Sequence, residues 1–193
     1  MIQVVDNSYK RICLIGGPSA GKSTIASELF SYWKRNSNTS PELVREYVKN
    51  WAWEGKQPRG FDQIYLLGKQ MYSEERVLRG GASPIITDSP LFLSYIYAQY
   101  SLVNRSEALA NSILTVVQEF DKIYHPLFVI VNRGDKPYDP KGRFQDVTSA
   151  FYIEDRIFEN LPKFYNQKDI ISINYNDTNA SKYVYDYAQS RSQ

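Results

Sequence analysis

The chain has almost no cysteine or histidine, no long apolar run and almost no net charge, and each shortage removes a class of explanation. Cys13 is the only cysteine among 193 residues, which excludes an internal disulfide and fits a reducing compartment. It sits within the apolar run Ile12–Ile15, where it reads as a packed side chain rather than a reactive thiol. His125 is the only histidine. Placed just before Pro126 at the entry to a strand, it is read as a packing or capping residue and carries no catalytic role. No run approaches the roughly 18 apolar residues of a membrane span, and no basic stretch followed by apolar residues opens the chain. A soluble, cytoplasmic protein with no membrane partner is expected. The 23 basic and 21 acidic side chains leave a net charge of +2, which neither demands nor excludes nucleic acid. Repeats, low-complexity tracts and long linkers are missing too. Residues 1–193 suit one α/β domain with a full core and are too few for two.

Aromatic residues are abundant: 16 Tyr, 9 Phe and 3 Trp make up 15% of the chain. Most suit core and rim packing, and some suit stacking on a nucleobase. Apolar runs rich in β-branched residues alternate with helical spacing. Strands are expected at Arg11–Ile15, Glu42–Glu46, Pro84–Asp88, Leu127–Val131 and Asp169–Asn174. Helices are expected at Ser23–Lys34, Phe61–Arg79, Leu91–Tyr100, Ser106–Phe120, Thr148–Leu161 and Ala180–Ser190. In the second helix, Ile64, Leu67, Met71 and Leu78 share one face, and Gly80-Gly81 ends it. Right-handed crossovers then predict a three-layer α/β/α domain around a five-stranded, mostly parallel sheet.

The sharpest motif is Gly16-Gly17-Pro18-Ser19-Ala20-Gly21-Lys22-Ser23, which fits G-x-x-x-x-G-K-[ST] directly after a strand and before a helix. Its glycines let the backbone curl so that successive N–H groups face phosphate oxygens. The helix start adds the positive end of its dipole. Lys22 is expected to reach the β- and γ-phosphates of ATP, and the Ser23 hydroxyl to ligate Mg2+, with Thr24 beside it. Asp88, at the end of the strand Ile85–Thr87, is expected to help hold that ion.

Other residues suit an acceptor and a lid. Arg45-Glu46 lies at the end of the second strand, and strand carboxyl ends line the ligand crevice of open parallel sheets. Glu46 is the first candidate base for an attacking hydroxyl and Asp88 the second. Arg45 suits an acceptor phosphate, or the two form a surface ion pair. Residues 133–147, with Gly134, Pro137, Pro140 and Gly142, have the composition of a lid. Arg133, Arg143 and Arg156 lie in and beyond it, with Arg143 the candidate to stabilise charge on the transferring phosphate and Arg133 a further nucleotide contact. Gln63, Tyr65, Gln70 and Tyr72 suit recognition of a base. Tyr47–Trp53 suits an acceptor wall or a hydrophobic flap.

Gly16–Thr24, Arg45-Glu46-Tyr47, the helix from Phe61, Thr87–Pro90 and Tyr138–Asp146 occur in an order that resembles small P-loop kinases of the nicotinamide-riboside-kinase-like ATPase family, frequent in bacteriophages. The resemblance runs from about residue 10 to 162. It implies a P-loop kinase fold, Lys22 and Ser23 as phosphate and Mg2+ contacts, Arg143 as a lid arginine, and a nucleoside-like or nucleotide-like acceptor. Tyr138–Asp146 looks most like one phage branch, the 5-hydroxymethyluridine DNA kinases, which implies modified DNA as acceptor and the host cytoplasm as location. Lys49, Lys56 and Arg59 would then supply a local basic groove. Free nucleosides and nucleoside monophosphates are the alternatives. A rival of another class, a nucleotide-binding switch or partner-dependent NTPase, draws on Asn132-Arg133-Gly134-Asp135, which differs from the guanine-reading Asn-Lys-x-Asp by one residue.

Overall fold

Strand β1 (Arg11–Ile15) is buried along its whole length, so its side chains meet protein on both faces of the sheet. Cys13 and Ile15 face one hydrophobic cluster and Ile12 and Leu14 the other. This is why Ile12–Ile15, after the buried Arg11, reads as an apolar run rather than an alternating one. The computed structural model describes residues 8–59, 61–100 and 106–191. With β2 (Glu42–Val44), β3 (Ile85–Thr87), β4 (Pro126–Asn132) and β5 (Ile170–Asn174), β1 forms a five-stranded sheet in the order β2-β3-β1-β4-β5. Every pairing is parallel, one step beyond the mostly parallel sheet expected from sequence.

Helices α1 (Lys22–Asn36) and α7 (Ala180–Ser190) cover one face, with Ile25, Leu29 and Trp33 of the first and Val184 and Ala188 of the second buried on it. A short helix, α2 (Lys49–Trp53), precedes α3 (Asp62–Arg79). The opposite face is covered by α3 together with α4 (Phe92–Tyr100), α5 (Glu107–Ile123) and α6 (Val147–Phe164). Ser106 and Asp146 cap α5 and α6 by accepting from Leu109 N at 3.2 Å and Ser149 N at 2.7 Å, satisfying amides that a helix start leaves open. Among the described residues no helix is long and apolar enough to cross a membrane.

Three expectations change. Helix α6 runs through Pro162 to Phe164 instead of stopping at Leu161, and Phe164 packs on Phe92 and Tyr95. Strand β2 stops at Val44, two residues short of the expected end. The amide of Glu46 is given to Asp88 Oδ1 at 2.9 Å instead of to a strand ladder. In α3, Ile64 is half-exposed although it was expected on the packed face, and Leu66, Leu67, Gln70 and Glu74 are buried. Apolar spacing misplaces that face because two of its core positions are polar.

Candidate active site

All five strands are parallel, so their carboxyl ends lie on the same side of the sheet. Chain order reverses on the two sides of β1, which makes the space beyond its carboxyl end the switch point of the sheet. There β1 runs into Gly16–Ser23 and α1. Gly21, at φ 97°, is the residue before α1 and no side chain caps the helix, so its first amides are left for an anion. The loop also packs too tightly for side chains. A Cβ on Gly21 would lie 2.0 Å from the ring of Tyr175, just past β5, and one on Gly17 would lie 2.7 Å from Glu154 Oε2. Ser19, at the tip, holds a left-handed φ of 66°, and its hydroxyl accepts the amide of Asp139 from the lid segment at 3.1 Å.

Lys22 folds back on this loop, donating from Nζ to the carbonyls of Gly16 and Gly17 at 2.9 Å each. Burial lowers its pKa to about 8, with Arg143 acting in the same direction and Glu46 and Asp88 opposing. The Ser23 hydroxyl donates to Asp88 Oδ2 at 2.5 Å. Asp88, 4% exposed, therefore spends one oxygen on Ser23 and the other on the amide of Glu46.

The Glu46 carboxylate has less company. Its Oε1 accepts from Ser89 Oγ at a long 3.4 Å. Burial raises its pKa above the ordinary carboxyl value, opposed by Lys22, while Asp88 adds to the rise and Arg143 and Lys49 oppose it. A carboxyl with a raised pKa and a free oxygen in a cleft is equipped to take a proton. Glu46 and Lys22 line one pocket together with Arg143 of the lid segment. Its far wall comes from Tyr47, just before α2, from α2 and α3 (Lys49, Ala52, Gln63, Leu66) and from one face of the chain entering and forming α4 (Pro90, Leu93, Ser94, Tyr97). Burial, with the nearby Glu46, pushes the Tyr97 phenol well above its ordinary value. The described residues hold no group of three or more His, Cys, Asp or Glu placed to hold a metal ion by themselves. A hydroxyl paired with a carboxylate still fits Mg2+, a hard ion usually held by one or two protein oxygens and completed by phosphate and water.

Lys22, Ser23, Glu46, Asp88 and Arg143 thus come together, whereas Arg45, Arg133 and Arg156 do not join them. Arg45 is exposed and does not line the pocket. Arg133 is 7% exposed and grips the loop from behind, donating from one nitrogen to Pro18 O at 2.8 Å and to Glu154 Oε2 at 3.0 Å. Its Nε and Nη1 are buried without partners. Arg156 pairs with Glu159 at 2.7 Å and lies over Tyr100 and Tyr152. Of the expected basic groove only Lys49 reaches the pocket, and Lys56 pairs with Glu54 at 2.5 Å. Tyr65 and Tyr72 sit exposed on the outer side of α3. Gln63 and Gln70 both line the pocket, but the amide of Gln70 is already spent within the protein. His125, at the opposite, amino-terminal end of the strands, lies 3.3 Å from Asp169. The amide of Asn132, first residue of the near match to the guanine motif, donates to Ser172 at 2.8 Å.

Sequence reading had no role for Ser94, Tyr97 or Glu154. Pro90, Leu93, Ser94 and Tyr97 follow the spacing of one helix face, which was a usable signal. Glu154 gave none, being one acidic residue of an amphipathic helix.

No curated protein sequence matches the chain significantly. Among solved structures it is similar to the NadR protein in complex with NAD and AMP-PNP, with a TM-score of 0.69 at 12% identity over 95% of this chain. The chain spans 49% of that protein's length. It is also similar to deoxyadenosine kinase from M. mycoides, solved with dCMP and a flexible dCDP bound. There the TM-score is 0.61 at 15% identity, covering 93% of this chain and 99% of the other. At such identities the likeness establishes the fold, a P-loop kinase fold. Residues 11–177 match the family model described as AAA domain, and the chain belongs to that family.

Proposed function

We propose that the protein is an ATP- and Mg2+-dependent kinase that transfers the γ-phosphate to a hydroxyl of a nucleoside-type acceptor. The observation that carries this reading is the pocket in which Lys22, Glu46 and Arg143 meet beyond the phosphate loop. The two similar structures, one solved with an ATP analogue and one a deoxyadenosine kinase, agree with it.

The loop amides and the start of α1 hold the phosphate chain, with Ala20 and Thr24 in the same turn and Arg133 keeping Pro18 in place from behind. Lys22 leaves the carbonyls of Gly16 and Gly17 for phosphate oxygens, which are better partners for a cation. Ser23 and Asp88 hold Mg2+, which when bound offsets charge on the phosphates. Glu46 accepts the proton of the acceptor hydroxyl as its oxygen bonds to the γ-phosphorus and the bond to the β-phosphate oxygen breaks, leaving ADP. Arg143 offsets charge on the γ-oxygens. Glu46 is preferred to Asp88 as base because both oxygens of Asp88 are engaged.

The pocket's charge favours an acceptor without a phosphate of its own. Lys22 and Arg143 serve the transferring group, and among the described residues Lys49 is the one other cation on the wall. A nucleoside monophosphate would call for a fuller clamp. The 5-hydroxymethyl group of a pyrimidine in DNA is the finer form of this reading, drawn from Tyr138–Asp146, and it shares the same base and lid.

Transfer from γ-labelled ATP with Mg2+ tests the proposal against nucleosides, nucleoside monophosphates, nicotinamide riboside, and DNA with and without hydroxymethylated pyrimidines. Label on a hydroxyl acceptor, lost in Lys22→Ala, is expected. Label in free phosphate alone would overturn the kinase reading and favour a partner-dependent NTPase.

A further inference from the structure

The core of this protein holds an uneven set of charges. Arg11, 1% exposed, donates from Nε to Glu74 Oε2 at 2.8 Å and from Nη1 to Asp121. Asp121 also accepts from the Tyr165 hydroxyl at 2.6 Å. Two buried carboxylates therefore share one guanidinium, and Glu74, fully buried, has its Oε1 left over. A buried carboxylate oxygen needs a donor, and Gln70, one turn earlier on α3, supplies it from Nε2 at 3.1 Å.

That contact decides more than its own strength. The two ends of a glutamine amide have the same shape, but only the nitrogen end can face a carboxylate. With Nε2 turned to Glu74 and its second proton toward Thr87 Oγ1 at 3.4 Å, Oε1 must point the other way. There it accepts the amide of Tyr47 at 3.0 Å. The preceding amide, that of Glu46, is held by Asp88 at 2.9 Å. Consecutive amides just past the end of β2 are thus clamped by two different elements, and the side chain between those anchors is that of Glu46.

We propose that Gln70 is a positioning residue for Glu46, with the Arg11–Glu74–Asp121 cluster acting through it by fixing which way its amide faces. The inference rests on the reading of Glu46 as the base. It assigns a buried ion cluster, one turn farther along the packed face of α3, to the geometry of the acceptor site, and it takes Gln70 out of base recognition.

The test compares three variants by amide hydrogen exchange and by acceptor phosphorylation. Gln70→Met keeps the length and removes the hydrogen bonds to Tyr47, Glu74 and Thr87. Gln70→Glu keeps an acceptor for Tyr47 but sets a carboxylate against Glu74. The swap Gln70→Glu/Glu74→Gln restores the contacts, because the amide introduced at position 74 donates to the carboxylate introduced at position 70 and accepts from Arg11. In Gln70→Met the Tyr47 amide should exchange at least about tenfold faster than in the wild type. Its kcat should fall on the order of 10- to 100-fold, as a misplaced base does, with KM for ATP unchanged. Gln70→Glu should be impaired likewise, and the swap should recover both readouts. Unaltered exchange at Tyr47, or an unaltered kcat with faster exchange, overturns the proposal. So does equal impairment of Gln70→Glu and the swap, a comparison that serves if Gln70→Met fails to fold. A wild-type protein that phosphorylates no acceptor sinks the kinase reading instead, and the clamp is then decided by exchange at Tyr47 alone.

Discussion

The two halves of the crevice are built in different ways. The donor half is one continuous stretch, Gly16–Ser23, whose chemistry is mostly backbone amide and whose shape follows from where glycine stands. The acceptor half is assembled from β2's end, α2, α3, α4 and the lid segment, and its chemistry is side-chain chemistry. The loop carries its chemistry in consecutive residues, and Arg133, Glu154 and Tyr175 pack around it without supplying that chemistry. An assembled wall depends on every element that carries a piece of it, down to the ion cluster behind α3.

That contrast breaks first, if it is wrong, at Glu46→Gln. Turnover should fall about 10²- to 10⁴-fold for loss of a general base, while ATP affinity, a property of the donor half, stays within about twofold by equilibrium titration. The same variant has an opposite effect on stability. A carboxyl whose folded pKa is raised binds its proton more tightly folded than unfolded, so the fold loses stability as pH rises from the ordinary carboxyl value through the raised one. The neutral amide escapes that penalty, and the melting temperature at neutral pH should rise.

Arg143→Ala comes next, with turnover expected to drop about 10²- to 10³-fold as for removal of one charge-stabilising donor. Protein with nucleotide but no acceptor should melt at a temperature little altered by the change.

The pH profile sharpens the contrast by reading one group from each half. The acid limb belongs to Glu46 and should lie above the usual carboxylate range, because the base must be ionised. The alkaline limb belongs to Lys22, whose pKa of about 8 means that the free protein loses this cation as pH rises past that value. ATP affinity should weaken above it, and bound triphosphate should move the limb upward. Glu46→Gln should erase the acid limb and move the alkaline one to lower pH, because the Glu46 charge opposes the fall in the Lys22 pKa.

The smallest effect is expected at Arg45→Ala. Its side chain is exposed outside the pocket, and turnover and acceptor KM should change by less than about twofold. A large rise in acceptor KM would put Arg45 back in the acceptor clamp and enlarge the assembled half.

Legibility followed the same division. Gly16–Ser23 could be read because its spacing is a backbone requirement within eight consecutive residues. Glu46 and Asp88 could be nominated because strand ends were visible and the crevice lies beyond them. Gln70 and Ile64 were misjudged for one reason. Apolar periodicity finds the face of a helix that packs on apolar neighbours, and α3 packs a polar pair toward Arg11. The short α2 escaped notice because five residues are too few for a period to show. Arg133 looked like a lid cation, and only the position of Glu154 on α6 turns it toward the loop.

By itself, then, the sequence determined the alternation of strands and helices, the phosphate loop and its lysine, because these depend on residues close along the chain. The tertiary structure alone decided which carboxylate oxygen is left free, which arginine grips the loop from behind and which glutamine is spent inside the core. Each of those is a competition among partners far apart in sequence, settled only when folding sets their distances.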